Sequence, residues 1–414
     1  MTRFTIISSD CHAGALFGTY NEYMPEQYRE TATAWWIQYA REMIVRRGTF
    51  FDQEASEAYD EKAGGGSGKF NTAKMLPEDL TDDVIRDMLE DGESAFAPRR
   101  GEWDAKVRLE ELEADGVVGE VIFPQMVPFG ASLLQYRGDD QPELNHVGNR
   151  AYNRWLAELC NSNPGRHAGV AIISVHDIDV AVQEVRDAKA AGLWGGVLLP
   201  GTTGEQPFYH HSRYEPLWAV CEELDMPLQV HSSWSPDYGD EPSATAMYIS
   251  EVDMYAHRPF SALVWSGALE RHPGLKLVFT ETGCSWILET LRLLEFKSAD
   301  PIFKYFSKDL SLTPTGYFER QCFIGASFMP AHEGKDRYKI GLDKLMWGSD
   351  YPHLEGTWPF TMDSLHATFG DYPEEEITAL LGGNAAKVYG FDIEKLRPIG
   401  DQVGPSLGSI RKAN

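Results

Sequence analysis

Eight short apolar runs recur along the sequence, each followed by a turn signal and then by a helix-like pattern. They are Phe4–Ser9, Gly119–Phe123, Gly169–Ser174, Gly195–Leu199, Pro227–His231, Leu275–Thr280, Cys322–Gly325 and Lys344–Gly348. Between them stand patterns such as EWDAKVRLEELEADG, VAVQEVRDAKAAG and CSWILETLRLLE, and several helical stretches stop at Gly or Asn, as helices do. Eight such units most economically close into a parallel (β/α)8 TIM barrel, an α/β fold whose active site lies at the C-terminal ends of the strands. At 414 residues the chain exceeds the roughly 250 typical of that fold. The surplus falls mainly between the first and second strands, so residues 1–390 are expected to form one barrel domain with a large helical insertion over 15–103. The stretch EKAGGGSGKF marks a flexible loop in that insertion, which would sit over the barrel mouth as a lid or an oligomer contact. Residues 391–414, containing RPIGDQVGPSLGS, read as an extended C-terminal arm.

The formal net charge is −26, from 63 acids against 37 bases, which argues against nucleic acid and anionic membranes as partners because both call for basic patches. No run of eighteen apolar residues is present, and MTRFTIISSD has neither the apolar segment nor the cleavage site of a secretory signal. A globular protein in the cytoplasm is the expectation. Cys11, Cys160, Cys221, Cys284 and Cys322 are widely spread with no Cys-x-x-Cys, so reduced thiols are expected rather than a disulfide framework or a zinc finger. The 11 Trp, 18 Tyr and 20 Phe suffice to line a pocket for an apolar substrate, although most must fill a large core.

Function is sought at the strand ends. In IISSDCHAG, Asp10 and His12 stand two residues apart, and strand alternation points both to one side. The fifth run ends in His231, the sixth is followed by Glu281, and the eighth by Asp350 with His353 three residues on. Gln125 follows the second run in VIFPQ. Each has an ordinary explanation when taken singly. His231 would more often be a satisfied structural histidine, Glu281 a partner for Arg271, and Asp350 a turn former in GSDYP. Charged groups that finish apolar strands are costly to bury unpaired, and their coincidence around one barrel mouth favours a site. His146, His167, His176, His257, His272 and His366 read as surface or structural, His210 and His211 as packing residues, while His332 after the seventh run stays open.

Four stretches carry a family resemblance: DCH after the first run, VHSSW after the fifth, ERHPGLKLVFTETG around the sixth and MWGSDYPH at the eighth. The chain resembles the amidohydrolase superfamily, in the branch of metal-dependent barrels that includes aminocarboxymuconate-semialdehyde and resorcylate-type decarboxylases. The resemblance implies that His12, His231 and Asp350 are metal ligands, with Asp10 in place of the first histidine of the usual His-x-His pair. It also implies a homodimer, since many relatives are dimers. Where such enzymes commonly carry a histidine after the sixth strand for acid/base chemistry, this chain has Glu281.

Asp10, Glu281 and Asp350 with His12, His231 and His353 give three carboxylates and three imidazoles, more than one ion requires. Ligation without thiolate suits iron or manganese at least as well as zinc, and Glu281 or Asp10 would serve as a bridge. The leading expectation, implied more by resemblance to a rare group of the superfamily than by this count, is a nonheme monooxygenase with two iron ions. It would use O2 to hydroxylate a bulky apolar, terpenoid-like natural-product intermediate, as rare members of the superfamily resembling this chain do. Gln125, Trp234, Trp286, Phe328 and Trp358 would line its pocket. The alternative is a hydrolase or non-oxidative decarboxylase of a small aromatic acid with one zinc or manganese ion, in which Glu281 or Asp350 moves the proton. A barrel that only binds is the third reading.

Overall fold

A computed structural model describes residues 3–50, 79–90, 99–130, 141–239 and 241–411. The glycine-rich stretch EKAGGGSGKF, residues 61–70, lies outside the described residues. All eight expected strands form: β1 (Ile6–Ala13), β2 (Val117–Pro124), β3 (His167–Ile172), β4 (Gly196–Leu198), β5 (Leu228–His231), β6 (Leu277–Thr280), β7 (Cys322–Ser327) and β8 (Leu345–Gly348). They pair in parallel in chain order, with helices between them, as a (β/α)8 TIM barrel. Ile7, Val121, Phe123, Val170, Val278 and Met346 fill the interior, while Ile6, Val117 and Ile122 face the surrounding helices.

The seam between β8 and β1 is closed largely by polar contacts. Cys11 and Tyr351 form an isolated parallel bridge. The amide of His12 donates to the Tyr351 carbonyl at 2.6 Å, and that of Asp350 to the Asp10 carbonyl at 2.9 Å. Below these, Ser8 Oγ accepts from the Ser349 amide at 2.9 Å and donates to the Asp10 carbonyl at 2.7 Å. The two chain segments that carry acidic strand ends are thus joined directly.

The tail corrects the expectation of an extended arm. Ile393–Val403 is a helix, and the Asp392 side chain caps it by accepting from the Lys395 amide. Phe391 and Leu396 are buried beneath the barrel, where a Cβ on Gly119 would come within 3.2 Å and 3.4 Å of them. The Tyr389 hydroxyl meets Gln229 Nε2 at 3.1 Å inside the barrel. Apolar tail residues and an uncovered barrel floor therefore satisfy one another, which a composition rich in Gly and Pro conceals.

Before β2, the helix Ala105–Ala114 is capped by Asp104, whose side chain accepts from the Lys106 and Val107 amides. It sends Arg108 into full burial. Arg108 grips Glu120 of β2 with two bonds, Nε to Oε1 at 2.6 Å and Nη2 to Oε2 at 2.7 Å, and its Nη1 donates to the His12 carbonyl at 2.9 Å. His167 Nδ1 lies 2.8 Å from the same carboxylate. Burial opposes the charge on Glu120, but Arg108 and His167 hold its carboxyl down to about 2. Because the folded value lies below the unfolded one, the stabilisation is complete above about pH 4.3 and is lost as pH falls toward the folded value. Replacing Glu120 by Gln strands Arg108, so a loss of about 3–5 kcal/mol is expected at pH 7. Urea unfolding of both proteins between pH 7 and pH 3 checks this, the variant losing less stability on acidification.

Candidate metal centre

The strand ends aim their polar side chains by local departures from regular geometry. Between Ser8 and Cys11 the register of β1 against β2 shifts by one residue, a β-bulge. Interior parity, set by Ile7 and continued by Ser9, would otherwise put Cys11 inside. The bulge instead puts Asp10 and His12 there and Cys11 in the outer layer. At the ends of β6 and β8, Glu281 and Asp350 have φ of 54° and 58°, left-handed values that side-chain-bearing residues rarely adopt. Such strain collects where a side chain must be aimed.

These departures bring six candidates together. His12 Nε2 lies 3.4 Å from Asp10 Oδ1 and 3.2 Å from Asp350 Oδ1. His231 Nε2 lies 3.5 Å from Asp10 Oδ1 and 3.2 Å from Glu281 Oε2. His353 Nδ1 is 2.9 Å from Asp350 Oδ1, and its ring stacks on His12 with centroids 3.9 Å apart. Asp10 and Asp350 are fully buried. Asp10, His12, His231 and Glu281 each offer a donor atom within 4.8 Å of the others; His12, Asp350 and His353 form a second such group, and Glu281, Asp350, His353 and the exposed Glu355 a third. His332 is exposed and belongs to none of them. Arg271 pairs with Glu215 rather than with Glu281.

Hydrogen bonding leaves the inward atoms free for a cation. Ser327 at the end of β7 donates to Asp10 Oδ2, a contact no sequence signal announced, and leaves Oδ1 facing the imidazoles. His231 Nδ1 faces the Ser232 carbonyl at 3.0 Å, which makes Nδ1 the donor and turns the Nε2 lone pair inward. Asp10 Oδ1, His12 Nε2, His231 Nε2, both oxygens of Asp350 and His353 Nδ1 are buried without a hydrogen-bond partner. Buried polar atoms are nearly always satisfied, and carboxylate with imidazole is the donor chemistry of a divalent ion, so these residues fit one.

Electrostatics agrees. Burial works against the charged imidazoles, yet the carboxylates beside them raise His12 and His231 to about 9. Burial pushes the Glu281 carboxyl up to about 7, with Asp350 and Asp10 adding to the rise and His231 opposing it.

The expected pocket residues separate. Gln125 Oε1 contacts His353 Nε2 at 2.6 Å. Half-buried Trp234 meets Tyr255 edge-on, Trp358 meets Tyr351 edge-on, and Phe328 stands at the end of β7 with φ of 35°. Trp286 is not brought to the mouth. It stacks on His257 and meets Phe279 in the layer outside the barrel.

Residues 98–391 match the amidohydrolase family. The chain belongs to that family. A gamma-resorcylate decarboxylase of Rhodococcus jostii (strain RHA1) is 27% identical over 230 residues, 49% of this chain and 65% of that protein, so the match spans about two thirds of the relative's length. Among solved structures, the 5-carboxyvanillate decarboxylase of Sphingomonas paucimobilis has a TM-score of 0.61 at 17% identity, covering 94% of this chain and 100% of that one. A dihydroxybenzoic acid decarboxylase from Polaromonas sp. JS666, with bound manganese and 2-nitroresorcinol, has a TM-score of 0.56 at 19% identity, covering 81% and 93%. These two structures speak to the fold.

This amidohydrolase is an enzyme of its superfamily, and the curated relatives it resembles are decarboxylases. The relatives overturn the expectation of a di-iron monooxygenase hydroxylating a terpenoid with O2, since the curated proteins that match this chain are decarboxylases. That expectation rested on resemblance to a rare group of the superfamily and, second, on a count of strand-end groups. Counting treats every such group as a ligand, whereas Asp10, His12, His231 and Glu281 already form one group of four donors, and His353, its Nδ1 unpartnered, stacks on His12 and spends Nε2 on Gln125.

A divalent ion must displace protons from His12 and His231, raised to about 9, and from Glu281, raised to about 7. Manganese affinity is therefore expected to climb from pH 6 to pH 9 with proton release. Titration calorimetry in buffers of different ionisation enthalpy measures both, and a flat affinity would contradict the assignment.

Proposed function

We propose that the chain is a metal-dependent decarboxylase that releases CO2 from a small hydroxylated aromatic acid, using one manganese or zinc ion. The observation that carries this reading is the group formed by Asp10, His12, His231 and Glu281, four donors for one ion, of which three present buried atoms with no hydrogen-bond partner. The kinship with decarboxylases supplies the reaction class. The ion, when bound, supplies an electrophile that holds and orients substrate oxygens.

The chain's own residues manage the proton. As the bond to the carboxyl carbon breaks, its electron pair stays on the ring carbon, which must then receive a proton. Asp350 is assigned that transfer, with His353 Nδ1 at 2.9 Å as its source. Gln125 Oε1, 2.6 Å from His353 Nε2, accepts from that nitrogen and so keeps Nδ1 turned toward Asp350. Burial and nearby His12 work against a charge on His353, but Asp350 outweighs them and raises its pKa, which favours the protonated imidazole. The stacked rings of His12 and His353, with Phe123 4.6 Å from His231, offer flat walls to an aromatic ring.

Elemental analysis of protein purified without added metal is expected to find a single manganese or zinc ion per chain. A panel of dihydroxybenzoates and a carboxylated vanillate is expected to yield CO2. Asp350→Asn is expected to keep the metal and lower kcat by about 10²–10⁴-fold. A metal-loaded protein that releases no CO2 from any member of the panel would sink the proposal.

A further inference from the structure

The turn that carries Glu281 away from β6 is gripped from two sides by residues the proposed chemistry does not use. Glu281 and Gly283 have φ of 54° and 66°, so the segment Glu281–Ser285 reverses through the left-handed region twice. A conformation so sparsely populated persists only where its surroundings over-determine it.

Those surroundings are specific. On one side His257 Nε2 lies 3.2 Å from the Thr282 carbonyl. A carbonyl only accepts, so Nε2 carries the proton. The His257 ring lies flat on Trp286, with centroids 3.8 Å apart and planes 10° from parallel, which fixes the direction of that N–H. Burial also keeps His257 neutral, lowering it to about 4. On the other side the Cys284 and Ser285 amides donate to Glu333 Oε2 and Oε1 at 3.1 Å and 3.4 Å, and Ser285 Oγ donates to Asp336 at 3.0 Å. The Glu281 amide itself donates to the Gly325 carbonyl at 3.2 Å. Glu281 is thus set on a turn beyond the end of β6, and its carboxylate is placed only as well as that turn is held.

We propose that His257 and Glu333 are positioning residues that clamp the β6 turn and thereby hold the Glu281 carboxylate among the metal donors. The proposal rests on the reading of Glu281 as a donor to the ion.

The test is manganese affinity of the full chain, measured by the electron paramagnetic resonance signal of free Mn(II), alongside the melting temperature without metal. His257→Phe keeps the stacked ring and removes the donor, His257→Gln restores an N–H, and Glu333→Gln removes one of the two acceptors. His257→Phe and Glu333→Gln are each expected to weaken manganese about tenfold, the lower end of the effect of losing an outer partner of a metal ligand, and His257→Gln to recover most of it. Glu281→Gln serves as the reference for direct loss of the donor. If Glu281→Gln weakens binding while both clamp variants bind as the parent does, the clamp is refuted and the metal reading stands, whatever happens to the melting temperature. If Glu281→Gln binds manganese as the parent does, Glu281 is no donor and both ideas fall. Should His257→Phe fail to fold, Glu333→Gln decides alone.

Discussion

Three carboxylates, those of Asp10, Glu281 and Asp350, share one barrel mouth with Asp10 and Asp350 wholly removed from water. Like charges in so small a buried volume repel, and desolvation adds to the cost. Such an arrangement stands only where positive charge is available at the same place. His12 and His231 provide part of it, each lodged between two carboxylates. A divalent ion would complete it with less strain, because it needs the same groups as ligands. The bulge in β1, the left-handed Glu281 and Asp350, and the Ser327 contact to Asp10 all keep these charges facing one another.

The seam and the segment before β2 reinforce that placement from outside. Arg108 joins Glu120 on β2 to the carbonyl of His12 on β1, so a buried ion pair in the outer layer fixes the backbone of a metal-facing residue. Ser8 and Ser349 do the same across the closure, where regular strand pairing gives way to hydroxyl bonds. Neither pair touches the mouth. Both limit how far the strand ends can drift apart.

Much of this was legible in the sequence. Apolar runs of strand length with turn signals located all eight strands, because parallel strands buried on both faces leave continuous hydrophobic stretches. Charge at the ends of those runs located the mouth residues. Strict alternation put Asp10 and His12 on one side, and the bulge preserves that pairing while reversing the parity set by Ile7, which no pattern of two could reveal. Ser327 was invisible because a small polar residue at a strand end carries no signal of its own. Trp286 was misplaced because position after a strand does not say which side of the layer a side chain takes. The chemistry was overread for a related reason: composition around a mouth counts groups, whereas geometry decides which donor atoms converge on one point, as those of Asp10, His12, His231 and Glu281 do.

The floor of the barrel has a consequence of its own. Ile7, Val121, Val278 and Met346 pack the interior, and Tyr389, Phe391 and Leu396 of the tail close it from below. The barrel is a blind well. On the proposed function, a substrate would reach the strand ends from the side away from this packed floor, and its product would leave the same way. On the proposed chemistry, the rim above the donors would then set how fast such a chain turns over.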